Sequence, residues 1–185
     1  MYTPAPGQVP QPEAPVLQAV PQAQPKPKGP AKSKDGDVGS FIQQCIALTA
    51  YLKELETQSH LIHLNLECPC FISIHEFLGD QYQGHLDQFD KMSEFIRSMN
   101  YLMPLCGCGL KDACPSSFQP VTSYEWKGML VTYYKNLEDC ARLCKKLEPI
   151  AQKIGAIDIQ NYMADLVGAM FKASWFIKAS LRNSQ

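Results

Sequence analysis

From Gly39 onward, apolar residues recur along the chain at steps of three and four. Phe41, Cys45, Leu48, Leu52, Leu55, Ile62 and Leu66 share one stripe, the mark of a helix with a buried face, and Pro69 stops it. A second stripe carries Ile74, Leu78, Tyr82, His85, Phe89, Met92, Ile96 and Met99 and ends near Asn100. The third helix is predicted to open at Thr122, with Glu125 at capping-box spacing, and to run through Trp126, Leu130, Tyr133, Leu137, Ala141, Cys144 and Leu147. Pro149 should kink it; Ala151 and Ile154 resume the stripe before Gly155, which is placed as a C-terminal cap. Asp158 can cap a fourth helix bearing Ile159, Met163, Leu166, Met170, Ala173, Ile177 and Leu181.

Two helical hairpins joined by a long connection, residues 100–121, describe an all-α fold, a four-helix bundle of the ferritin-like kind with its long loop between helices two and three. That bundle is expected over residues 39–185. Residues 1–38 hold nine of the fourteen prolines, with Gln, Ala and Lys between them, and cannot bury enough surface to order themselves, so they are read as a disordered tail. Lys26, Lys28, Lys32 and Lys34 are nearly offset by Glu13, Asp35 and Asp37, which makes the tail a weak arm for DNA. With 45% hydrophobic residues, 19% charged residues and a net charge of −1, the chain is neither wholly disordered nor a basic polymer coat. No apolar run reaches a membrane span and the start lacks a basic-then-apolar leader, so a cytoplasmic protein with no membrane contact is the expectation.

The chemistry lies in the polar exceptions. His63 falls late on the first helix and His75 in the first turn of the second, while Asp90 and Glu94, four apart on the second helix, share a face and could bind one cation. His75 and Asp90 are fifteen residues apart, about 22 Å along a straight helix at 1.5 Å per residue. One chain cannot bring them to one metal. Nor is any histidine preceded three positions earlier by Glu, so the Glu-x-x-His pattern of a di-iron site inside one bundle is missing. If the four cooperate, they do so across a subunit interface. Read without that spacing, they are ordinary surface groups satisfied by solvent. His85 falls in an apolar stripe and reads as a buried, hydrogen-bonded core histidine, and His60, one turn before His63, as a surface or supporting group.

The stretch from His63 through Leu64, Asn65, Leu66, Glu67, Cys68, Pro69, Cys70, Phe71, Ile72, Ser73 and Ile74 to His75 and Glu76, followed by Asp90 and Glu94, resembles the ferroxidase signature of the Dps family, the mini-ferritins called DNA-binding proteins from starved cells. The last helix, with Ala164-Asp165-Leu166-Val167 and Lys172-Ala173-Ser174-Trp175-Phe176-Ile177-Lys178-Ala179, is similar to that family's last helix, so the resemblance covers about residues 40–182. It implies a hollow spherical dodecamer that oxidises Fe(II), preferably with hydrogen peroxide, stores ferric iron inside and protects against oxidative damage. It also implies His63, His75, Asp90 and Glu94 as catalytic and iron-binding residues at two-fold subunit interfaces, and a nucleoid-associated setting in the cytoplasm. The contrasting reading is a structural shell that coats or compacts DNA through its lysines and oxidises iron poorly.

Three positions depart from the family pattern. An Asp usually stands four residues after the second histidine, where this chain has Gly79; Asp80, a further candidate ligand, is rotated about 100° around the helix from that position. Weaker binding at one metal position follows. Leu64 replaces the tryptophan that often follows the first histidine, and Cys68 and Cys70 replace small or amide residues. With Cys106, Cys108 and Cys114 in the connection, these thiols could form a further zinc or iron-sulfur site or a redox disulfide, although the two C-x-C pairs lack zinc-knuckle spacing. Cys45, Cys140 and Cys144 fall on or beside apolar stripes and read as small core hydrophobes.

Overall fold

The computed structural model describes residues 35–182; residues 1–34 and 183–185, which include nearly all of the predicted tail, lie outside the described residues. Five helices follow in order: α1 (Asp35–Asn65), α2 (Phe71–Ser98), α3 (Gly107–Ala113), α4 (Trp126–Ile154) and α5 (Ile157–Arg182), with no strand among the described residues. α1 and α2 form one antiparallel hairpin, and α4 and α5 the other. Across the bundle, Phe77 meets Phe176 and Phe95 meets Tyr162, which ties α2 to α5 near both ends and sets them antiparallel. α1 also packs on α4, so α2 and α4 point the same way and the connection between them must travel the length of the bundle.

α1 is buried on more than the stripe read from the sequence. Ile42, Ile46 and Tyr51 are buried beside Phe41, Leu48, Leu52 and Leu55, because α1 faces α2, α4 and the short α3 together. The core closes with Leu78, Met92 and Ile96 of α2, Leu130, Leu137 and Leu147 of α4, and Met163, Leu166 and Ile177 of α5.

Four helix ends differ from expectation. α1 begins at Asp35, four residues inside the stretch 1–38 read as tail. α4 begins at Trp126 rather than Thr122, because the Glu125 side chain itself accepts from the Lys127 and Gly128 amides and leaves no N-cap role for Thr122. Asp158 lies inside the first turn of α5 rather than capping it. α1 ends at Asn65, four residues ahead of Pro69, and the gap is a turn closed by the Phe71 amide on the Cys68 carbonyl. Gly155 caps α4 as predicted, at φ 79°, with Ala156 and Gly155 donating to the Ala151 and Gln152 carbonyls in a Schellman arrangement. Asn100, at φ 68°, repeats that arrangement after α2, with Tyr101 and Asn100 donating to Ile96 and Arg97. α4 continues as helix through Pro149.

The long connection is anchored by buried Asn136 of α4. Its amide donates to the Gln119 carbonyl at 2.7 Å and to Gln58 Oε1 at 2.9 Å, and its oxygen accepts from the Gln119 amide at 3.0 Å. Gln58 of α1 donates in turn to the same Gln119 carbonyl at 2.9 Å. Backbone that crosses helices needs such partners, since its own polar groups have no ladder to join.

Candidate functional site

The two histidines meet where α1 gives way to α2. His63 lies in the last turn of α1, whose final carbonyls have no helical amide to accept from, and His75 lies in the second turn of α2. Their rings stack at 3.7 Å between centroids and 19° between planes. Each ring is tied to the other residue's backbone: His63 Nδ1 to the His75 carbonyl at 2.8 Å, and His75 Nδ1 to the His63 carbonyl at 3.0 Å. A carbonyl only accepts, so both Nδ1 atoms carry the proton. In each neutral ring the lone pair therefore sits on Nε2, which has no hydrogen-bond partner among the described residues. Orientation of a ligating imidazole through its other nitrogen is the arrangement metal-binding histidines favour.

An aromatic row extends from this pair. Phe71 stacks on His75 at 4.9 Å, Tyr82 meets His63 edge-on at 5.5 Å, and His60 stacks on Tyr82 at 4.2 Å. Sequence reading singled out His60 but not Tyr82, whose place on the α2 stripe made it look like core. Gly79 faces His63: a Cβ built there would lie 3.7 Å from His63 Cε1, in ordinary contact, so a Cβ is accommodated beside the ring. Two aliphatic side chains next to the histidines in the chain are bare: Leu64 and Ile72 are 65% and 67% exposed.

Asp90 and Glu94 are exposed on α2, well along the helix from His75, and no group of three or more His, Cys, Asp or Glu side chains able to hold a metal occurs among the described residues. Within one chain, then, the four proposed ligands form a histidine pair and a separate carboxylate pair. Asp80 is exposed and lines a groove between α2 and α5 with Phe77, Lys172 and Phe176, on a different face of α2 from Gly79 and His63.

His85 is buried as expected, with Nδ1 at 2.9 Å from Gln88 Oε1 and Nε2 at 2.8 Å from the Tyr133 hydroxyl. Burial pushes its pKa down to about 4, only partly opposed by the Gln88 hydrogen bond and the Glu56 charge. Cys45, Cys140 and Cys144 are buried in the core, and desolvation raises Cys45 to about 12. The other five thiols do not converge. Cys68 and Cys70 sit together in the α1–α2 turn, with sulfurs 3.7 Å apart. Cys106 caps α3, its sulfur accepting from the Gly109 amide at 3.3 Å, Cys108 is exposed on that helix, and Cys114 ends it half-buried.

No model of a known protein family matches the sequence, and no curated protein sequence matches it. Solved structures do. The fold is similar to the Dps protein of Thermosynechococcus elongatus, with a TM-score of 0.74 and 16% identity over 79% of this chain and 92% of that one. It is similar also to antigen TpF1 of Treponema pallidum, at 0.74 and 18% over 83% and 99%. A third is the Dps protein of Vibrio cholerae O1, described as a member of a broad superfamily of ferritin-like diiron-carboxylate proteins, at 0.72 and 15% over 79% and 91%. The likeness establishes a Dps-like, ferritin-like fold.

Proposed function

We propose, from this Dps-like fold, that the protein is a ferroxidase and iron store: it oxidises Fe(II) with hydrogen peroxide and keeps the ferric product inside a hollow shell of twelve copies. The observation that carries the reading is the reciprocal histidine pair, whose two Nε2 lone pairs are left for a substrate cation. Imidazole with carboxylate suits iron in both oxidation states, and an anionic oxygen favours Fe(III) over Fe(II), which helps drive the oxidation. Asp90 and Glu94 supply that oxygen from a two-fold-related copy. The bare Leu64 and Ile72, each close in the chain to one of the histidines, support such a cover, as do exposed Trp175 and Phe176 elsewhere on the surface. Two Fe(II) ions give up one electron each; the peroxide accepts both with two protons and leaves as two waters. Gly79 supplies no carboxylate at the position facing His63, so one of the two metal positions binds weakly.

Two measurements test this. Light scattering should give a mass near twelve subunits, and stopped-flow Fe(II) oxidation with peroxide should slow by about a hundredfold or more in Glu94→Gln, which keeps the shape and removes the charge. A stable monomer with full activity, or a Glu94→Gln rate equal to that of the parent, would refute the shared site.

A further inference from the structure

The turn that joins the two histidine-bearing helices holds a pair of thiols that the iron reading leaves unused. Cys68-Pro69-Cys70 is closed by the Phe71 amide on the Cys68 carbonyl at 3.0 Å, with Pro69 at the second position of the turn, where its fixed φ is favoured. Cys70 is the N-cap of α2, and its carbonyl is held by the Ile74 amide at 3.2 Å and the Ser73 hydroxyl at 3.1 Å. The backbone thus fixes both Cα atoms and leaves the sulfurs 3.7 Å apart, in hydrogen-bond contact. A disulfide needs about 2.05 Å between sulfurs, a closure within reach of side-chain rotation. Neither thiol is buried: both are partly exposed, and Cys68 stands in the wall of a cleft with Leu64, Glu67, Phe71 and Tyr124.

We propose that Cys68 and Cys70 form a redox-active dithiol that hydrogen peroxide closes to a disulfide. One thiol attacks a peroxide oxygen as its O–O bond breaks, giving a sulfenic acid and one water. The other thiol then attacks the sulfenic sulfur, forming the S–S bond and releasing the second water, so two thiols are oxidised by two electrons per peroxide reduced. Cys68, held up by burial and the neighbouring Cys70 sulfur, is the resolving thiol and Cys70 the attacking one. The remaining cysteines are unsuited. Cys106 and Cys108 are two apart around the start of α3, where side chains point to opposite sides, Cys114 at the far end of that helix is half-buried with its thiol pushed up to about 11, and Cys45, Cys140 and Cys144 are sealed in the core.

The test uses the full chain, reduced and metal-free, so that it does not depend on iron oxidation. After one equivalent of hydrogen peroxide, alkylation and peptide mass mapping should find Cys68 linked to Cys70, two thiols lost per peroxide consumed, and full recovery with dithiothreitol. Cys70→Ser should reduce peroxide consumption by about tenfold or more, while Cys68→Ser should stop at a sulfenic acid on Cys70 that dimedone traps. If both thiols of the native protein remain open to alkylation, if the oxidation falls on Cys106, Cys108 or Cys114 instead, or if Cys70→Ser consumes peroxide like the parent, the proposal is overturned. Failure of the ferroxidase assay alone leaves these outcomes untouched, and failure here leaves the iron reading standing.

Discussion

Acid should weaken this fold through His85, by an amount that can be worked out. The imidazole lies between α2 and α4, where the Tyr133 hydroxyl donates to Nε2 and Nδ1 donates to Gln88 Oε1. Protonation would remove the acceptor that Tyr133 uses and place a charge in the core. The folded pKa, about 4, lies below the ordinary value of 6.5. The native state therefore binds the proton less readily than the unfolded chain, so the stability is fully present above pH 6.5 and is lost as pH falls toward 4. Linkage gives a loss of about 2 kcal/mol at pH 5 and about 3 kcal/mol at pH 4, relative to pH 7. Urea unfolding of the metal-free protein at pH 7 and pH 5, with His85→Gln alongside, isolates the contribution, since every other side chain is common to both proteins. The variant should start lower at pH 7 and lose about 2 kcal/mol less than the parent between the two pH values. Equal losses would mean that His85 is already charged or solvated in the folded state.

Four further outcomes follow. Gly79→Asp restores a carboxylate beside His63, where a Cβ is accommodated, and should tighten Fe(II) binding at the weaker position by at least about tenfold, read by calorimetry under anaerobic conditions. Asn136→Ala strips partners from Gln58 and the Gln119 backbone and should cost about 2 to 4 kcal/mol in urea unfolding, with the connection becoming the first segment cut by protease. Gly155→Ala should cost about 1 kcal/mol, since φ 79° strains any residue with a Cβ. Removal of residues 1–34 should leave both the iron oxidation rate and the assembly mass unchanged, and loss of folding would show that the tail contributes to the bundle.

The four long helices were legible because each must bury a face, and a buried face writes itself into the sequence at steps of three and four. The same logic marked His85 as a core residue and Gly155 as a stop. The start of α4 was not legible, because Thr122 and Glu125 satisfy capping-box spacing equally well whether Thr122 is the cap or Glu125 caps by itself. α3 has seven residues and no buried stripe, so only its cap could have announced it. The extra burial of Ile42, Ile46 and Tyr51 depends on how many neighbours α1 meets, a tertiary fact. Of the candidate site, the histidine spacing could be read from the chain, whereas the crossed ring-to-carbonyl bonds and the contact with Tyr82 could not, since they depend on how the turn folds back.

The crossed bonds between His63 and His75 divide the work unequally: the His75 ring donates to a carbonyl in the last turn of α1, whereas the His63 ring donates to a carbonyl inside α2. Both acceptors are backbone, so replacing either side chain removes its own Nδ1 bond and the 3.7 Å ring stack but leaves the other ring's Nδ1 bond in place. The coupling in a double-mutant cycle should therefore report the ring stack alone, and a chain that loses one histidine still presents the other's Nε2 in its original direction.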